Sequence, residues 1–318
     1  MAKSEGCIPC GYTGRMESCE TQPTNKEAAL EQGSFPCGPI GIFDSGYGGL
    51  TVAREIIKAL PHEDIIYLGD TLRCPYGPRS LAEVDSFVQQ ICSWLIERKV
   101  KMIVIACNTA TAAGLKHAQQ VFDVPIIGVV EPGARAAVRT TRNRKVGVIA
   151  TQGTVDSGAY SKSIRCQDAG VTVFSTATPR FVEIAEMGIR MAQGPIEDYM
   201  SLASKVYIRP AFREIAREYL EPLRRTGIDT LVLGCTHFPL LKALIGGVVG
   251  HDVTLIDSAK ETARDVCDIL RRRDQLMGPD HVPEYRFFST GTDVSEFQRF
   301  GSRVLRMELP EVQRVEFD

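Results

Sequence analysis

The sequence predicts an α/β fold of two pseudo-symmetric lobes, built on mostly parallel sheets, with the active site in the cleft between them. Three observations carry that prediction. From Pro39 onward, short apolar runs alternate with amphipathic stretches, the order expected of repeated strand–helix units. The runs are rich in Val and Ile and do not alternate polar with apolar residues, as befits strands covered on both faces. Two pairs of segments also echo each other. Met102-Ile-Val-Ile-Ala-Cys107-Asn-Thr resembles Thr230-Leu-Val-Leu-Gly-Cys235-Thr-His, and the run 38–46 resembles 145–153. Any two buried strands look somewhat alike, so the weight of the echo comes from its recurrence at corresponding points of two halves.

The elements follow in order. Strands are predicted at Ile40–Phe43, Asp64–Leu68, Met102–Ala106, Ile126–Val129, Lys145–Ala150, Val171–Ser175, Thr230–Gly234 and Thr254–Asp257. Between them the helical pattern falls on Leu50–Leu60, Leu81–Arg98, Ala110–Phe122, Pro132–Thr140, Ser157–Ala169, Ile196–Arg225 and Glu261–Arg273. A length of 318 residues allows two domains of roughly 150 residues each. The division expected is a flexible extension over 1–38, one lobe from 39–131 plus 241–318, and a second lobe from 132–240.

Residues 1–38 are rich in Gly, Ser, Thr, Pro and Glu, the composition of an unpacked segment, and hold four of the ten cysteines. Cys7-x2-Cys10, with Cys19 and Cys37, has one half of a zinc-binding pattern and lacks the second close pair. An extension without a metal is the reading preferred here. With 37 Lys+Arg against 39 Asp+Glu, a net charge of −2, electrostatics gives no ground for a nucleic-acid partner or an anionic membrane. No apolar run approaches the ~18 residues of a membrane span, and the N-terminus lacks the apolar core of a signal peptide. The expected setting is cytoplasmic, and the cysteines are expected as thiols.

Ligands of open α/β sheets bind beyond the carboxyl ends of the strands, so the residues that follow each strand matter most. After the first comes Asp44-Ser45-Gly46-Tyr47-Gly48-Gly49, which completes neither a phosphate-binding loop nor a dinucleotide fingerprint. It reads equally as a tight turn with Asp44 as a cap and as a carboxylate on the cleft floor. Cys107 precedes Asn108-Thr109 and an Ala-rich stretch, which sets the thiol at a helix N-terminus, where free N–H groups favour anions and thiolates. Cys235-Thr236-His237 repeats the arrangement ahead of Pro239, a residue suited to a first helical turn. One cysteine alone reads as inert packing. Two at matching positions read as thiols facing each other over one ligand. Asp70-Thr71 and Pro75-Tyr76-Gly77 follow the second strand, either as a plain turn or as a ring and an amide closing on a ligand.

Taken together, Gly41-IFDSGYGGLTV-Ala53, GDT at 69–71, PYGPRS at 75–80, IACNTATAA at 105–113, IIGVVEPG at 126–133, VGVIATQGTVDSGAY at 146–160 and LVLGCTHFPLL at 231–241 resemble the glutamate racemases of the aspartate/glutamate racemase superfamily. The similarity runs in order from about Pro39 to about Asp268. It implies an isomerase that interconverts L- and D-glutamate without cofactor or metal and supplies D-glutamate to peptidoglycan, the wall that sets cell shape. By the same resemblance Cys107 and Cys235 fall on the two catalytic cysteines, and Asp44 and His237 on the groups that assist them. Asp44, Ser45, Tyr76, Gly77, Asn108, Thr109, Thr236 and His237 fall on substrate-contacting positions. A further family glutamate matches Glu186 by register, although Thr178 stands where Cys is common and Glu183 lies one turn earlier. Beyond glutamate the expected partner is at most a second copy of the chain. Two other readings stand beside this one: a racemase or isomerase for aspartate or another small acid, and a non-catalytic amino-acid-binding protein.

Overall fold

A computed structural model describes residues 35–191 and 209–317. Among these residues ten strands form two sheets. The first sheet contains β1 (Ile40–Asp44), β2 (Ile65–Gly69), β3 (Met102–Ile105), β4 (Ile126–Gly128), β9 (Tyr285–Ser289) and β10 (Val312–Arg314), in the order β10-β9-β2-β1-β3-β4. The second contains β5 (Lys145–Ala150), β6 (Thr172–Ala177), β7 (Thr230–Gly234) and β8 (Thr254–Asp257), in the order β6-β5-β7-β8. Every pairing is parallel. The strands β2-β1-β3-β4 of the first sheet and all four of the second therefore repeat one topology. In it, β1 corresponds to β5 and β3 to β7.

The Val/Ile-rich runs become central strands because helices cover both faces. Every residue of β1, β2, β3 and β7 is buried. The first lobe carries α1 (Leu50–Ala59), α2 (Leu81–Glu97) and α3 (Asn108–Val121). The second carries α4 (Val130–Thr140), α5 (Gln152–Asp156), α6 (Ala159–Gln167), α7 (Arg180–Met191) and α8 (Pro210–Arg225). After β7 come a 3-10 turn, Phe238–Leu241, then α9 (Lys242–Val249), α10 (Ala259–Arg272) and α11 (Val294–Leu305). Each fully buried Ile or Leu side chain in such strands contributes about 1.5–3 kcal/mol, which is what fixes the sheets as the rigid floor of the cleft.

One expectation changes, and two fall wholly or partly outside the described residues. The chain does not rejoin the first lobe at 241, because Thr254–Asp257 pairs in register with β7 and completes the second sheet. Return to the first sheet comes only with Tyr285–Ser289, which pairs with β2. The helix expected over Ile196–Arg225 is described from Pro210, and its first part lies outside the described residues. Cys7, Cys10, Cys19 and nearly all of the expected extension also lie outside them. Cys37 is exposed with a free thiol, and Phe35 to Gly38 lead directly into β1. Among the described residues no helix is long and apolar enough to cross a membrane.

Candidate active site

The carboxyl ends of β1, β3, β5 and β7 meet at one enclosed cavity. Ser45, Cys107, Thr151 and Cys235, each following one of those strands, stand on its wall together with Asn108, Thr236 and His237. It encloses about 30 Å³, room for one or two water molecules. A wider groove of about 530 Å³ between α3, α4 and α6 contains neither thiol.

On the first lobe, Cys107 is itself the N-cap of α3. The Ala110 N–H donates to its Sγ at 3.5 Å, and Sγ lies 3.7 Å from Ser45 Oγ. The sequence pointed to Asn108 and Thr109 as the capping types, yet both begin the helix and leave the thiol at its mouth. Burial pushes the Cys107 thiol up to about 12, and the Asp44 carboxylate adds to the rise. The Ala110 N–H and the Ser45 hydroxyl oppose it. Asp44 ends β1 fully buried, accepting from Gly46 N–H at 3.0 Å and from the Thr236 hydroxyl at 3.3 Å. It caps no helix, since Gly49 holds that position for α1, and its side chain is not on the cavity wall. Asp44 thus lies behind Thr236 and close to Cys107.

On the second lobe, Cys235 Sγ lies 3.8 Å from His237 Nδ1. On the other side of the ring, Nε2 stands 3.3 Å from Glu186 Oε1, an ion-pair separation whose alignment falls outside a hydrogen bond. Burial alone would lower the His237 pKa. The Cys235 sulfur and the Glu186 carboxylate outweigh it and hold the imidazolium up to about 10. Burial raises the Glu186 carboxyl, but His237 and then Arg190 more than compensate and leave it below its ordinary range. Glu183, the other candidate by register, is exposed on α7. Glu186 is the glutamate beside the site.

A second lobe can approach this closely because of the glycine turn after β1. A Cβ on Gly48 would lie 2.3 Å from Thr236 Oγ1 and 2.6 Å from His237 Nδ1. Polar bonds then cross the cleft. Gly153 N–H donates to Gly77 O at 2.9 Å, the Thr109 hydroxyl meets that of Thr151 at 2.9 Å, and the Thr51 hydroxyl donates to Thr236 O at 3.1 Å.

Ser45, Tyr76, Gly77, Asn108, Thr109, Thr236 and His237 all line the cavity. Tyr76 does so with a spent hydroxyl, which donates to the buried Asp70 carboxylate, itself joined to Arg73 at 2.6 Å and Thr290 at 2.8 Å. The ring and the backbone of Tyr76 remain to meet a ligand. Cys74, Pro75, Thr151 and Val182 also line the wall. Thr151, Pro75 and Val182 were in matched segments, whereas nothing local marked Cys74. Chemically, the cavity sets a neutral thiol at a helix N-terminus opposite a thiol beside an imidazolium, with helix-end amides suited to a carboxylate.

The family profile described as Asp/Glu/Hydantoin racemase matches residues 40–266. A glutamate racemase of Corynebacterium glutamicum is 47% identical over 280 residues, covering 87% of this chain and 96% of that protein. One from Listeria monocytogenes is 46% identical over 253 residues, covering 80% and 89%. Among solved structures, a glutamate racemase isoform from Bacillus anthracis superposes with a TM-score of 0.77 at 42% identity, covering 88% of this chain and 97% of its own. A glutamate racemase of Francisella tularensis solved with D-glutamate gives 0.76 at 34% identity, covering 88% and 98%.

Proposed function

The chain belongs to the Asp/Glu/hydantoin racemase family, as an amino-acid racemase, and from that premise we propose that it interconverts L- and D-glutamate by two opposed thiols without a cofactor. The observation that carries the reading is the pair Cys107 and Cys235 at equivalent strand ends of one cavity. Inversion at Cα needs a base on one face and an acid on the other, because a single group tends to return the proton to the face it came from. In one direction a thiolate removes the Cα proton while the opposite thiol delivers its own. The reverse reaction exchanges the roles. The Cys107 thiol, pushed up to about 12, is held as the acid in the free enzyme. The His237 imidazolium beside Cys235 supplies the positive charge that a thiolate base requires.

Charge that builds up on the substrate during proton removal needs electrostatic support. The backbone N–H groups at the start of α3 are pre-oriented to give it to the α-carboxylate. An amino acid of glutamate's size does not fit about 30 Å³, so substrate binding requires the lobes to part and close again, excluding water during proton transfer. The resemblances to glutamate racemases, including one solved with D-glutamate, support glutamate as substrate, and supply of D-glutamate to peptidoglycan is the role this substrate implies. Asp44, Ser45, Tyr76, Gly77, Asn108, Thr109 and Thr236 are the residues we assign to holding the substrate or the thiols in place. Polarimetry with each enantiomer of glutamate and aspartate, without pyridoxal phosphate or added metal, tests the reading. Racemisation of glutamate well above aspartate is expected. Activity that depends on pyridoxal phosphate, or that prefers aspartate, overturns it.

A further inference from the structure

Asn108 lies on the cavity wall and is 3% exposed, yet its amide nitrogen Nδ2 has no hydrogen-bond partner. A buried donor in that state is costly to keep. Its other end explains the orientation. The Tyr160 hydroxyl, from α6 of the opposite lobe, donates to Asn108 Oδ1 at 2.7 Å. With the carbonyl taken, the amide presents Nδ2 away from Tyr160, as a free donor in the wall of the cavity.

The slot for the Tyr160 ring is built into the backbone around it. A Cβ on Gly133 in α4 would stand 3.2 Å from the Tyr160 hydroxyl oxygen, and one on Gly234 at the end of β7 would stand 3.0 Å from the ring. Tyr160 is buried at 2% exposure. Burial holds its phenol well above the ordinary range despite the hydrogen-bonding Ser258 side chain, so it stays a protonated donor. Packing alone would accept phenylalanine here. The hydroxyl has one visible task across the cleft, which is to fix the amide of Asn108.

We propose that Tyr160 is a positioning residue for the racemisation. Its hydroxyl locks the Asn108 amide so that Nδ2 donates to a carboxylate oxygen of the substrate, and it does so only when the lobes are closed. This rests on the racemase reading above and adds a residue to it. The link also couples closure to recognition: an open cleft separates Tyr160 from Asn108 and releases the amide to rotate.

The experiment is a double-mutant cycle of Tyr160→Phe and Asn108→Ala in the full chain, with KM and kcat measured in both directions alongside thermal melting. Loss of one neutral hydrogen bond predicts that Tyr160→Phe raises KM about tenfold with a smaller change in kcat. The double variant should match Asn108→Ala alone, since Tyr160 acts through that amide. Effects that multiply, or an unchanged KM in Tyr160→Phe, overturn the proposal. If Tyr160→Phe does not fold, Asn108→Asp decides. It keeps the acceptor for Tyr160 but sets an oxygen where Nδ2 was, and should raise KM more than Asn108→Ala does. Substrate held as tightly by Asn108→Asp as by the wild type contradicts the account. A wild-type chain that leaves both glutamate enantiomers unchanged would instead bring down the racemase reading itself.

Discussion

Cys107 and Cys235 occupy the same place in two copies of one topology but stand in different chemical surroundings. Both follow the strand next to the central strand of a parallel four-strand unit, β3 beside β1 and β7 beside β5. Around Cys107 the regular helix α3 begins at once, the Asp44 carboxylate lies close, and the thiol is held protonated. Around Cys235 a short 3-10 turn replaces the helix start, and His237 with Glu186 brings an imidazolium to the sulfur. Repeated topology explains why two thiols share a cavity. The few side chains that differ explain why their surroundings are unlike, a carboxylate beside Cys107 and an imidazolium beside Cys235.

The largest effect should come from removing either member of the pair. Cys107→Ser and Cys235→Ser should each lower racemisation at least about 10³-fold, since a hydroxyl is a far poorer proton donor and acceptor here than a thiol. Initial rates with D- and L-glutamate measure it, and one variant with near-full activity would break the comparison. Next comes the turn that lets the halves close. Gly48→Ala places a methyl group 2.3 Å from Thr236 Oγ1, and the displaced loop should cost about 10²-fold in kcat/KM with little change in melting temperature. Unchanged kinetics would show that the close approach is dispensable.

A smaller and more selective effect is expected at Glu186. Glu186→Gln removes the carboxylate that helps hold the His237 imidazolium up, so the His237 pKa should fall below about 10. The alkaline limb of the rate profile should move to lower pH, with the rate at neutral pH reduced about tenfold. The linkage to stability has a definite sign. A pKa raised above an unfolded value of about 6.5 stabilises the fold fully below that value, and the contribution is lost as pH rises through about 10. Melting curves between pH 7 and 10 should therefore decline more steeply for the wild type than for Glu186→Gln. Parallel declines would show that the ion pair does not set the His237 charge.

Much of this arrangement could be read from the sequence, because strands buried on both faces leave long apolar runs and the residues just after them are the ones a cleft collects. That logic located both cysteines, the glycine turn and the Pro75-Tyr76-Gly77 segment. It failed where structure depends on distant partners. Tyr285–Ser289 becomes a strand by pairing with β2, more than two hundred residues earlier, and Val312–Arg314 by pairing with β9. Neither short run carries a pattern of its own. Thr254–Asp257 was recognised as a strand, but its sheet is decided by the edge of β7. Side-chain roles were hidden for the same reason: Tyr76 has its hydroxyl on Asp70, and Glu186 is separated from Glu183 only by which faces His237.

The central claim is that the two thiols serve opposite faces of one substrate carbon. Elimination of HCl from the enantiomers of a β-chloro-glutamate tests it most directly, since that reaction needs a single proton abstraction and a leaving group. A variant with one thiol left should retain it for one enantiomer only. The account predicts that Cys107→Ser and Cys235→Ser keep elimination with opposite enantiomeric preference while both lose racemisation. The same preference in both variants would place the two thiols on one face and contradict it.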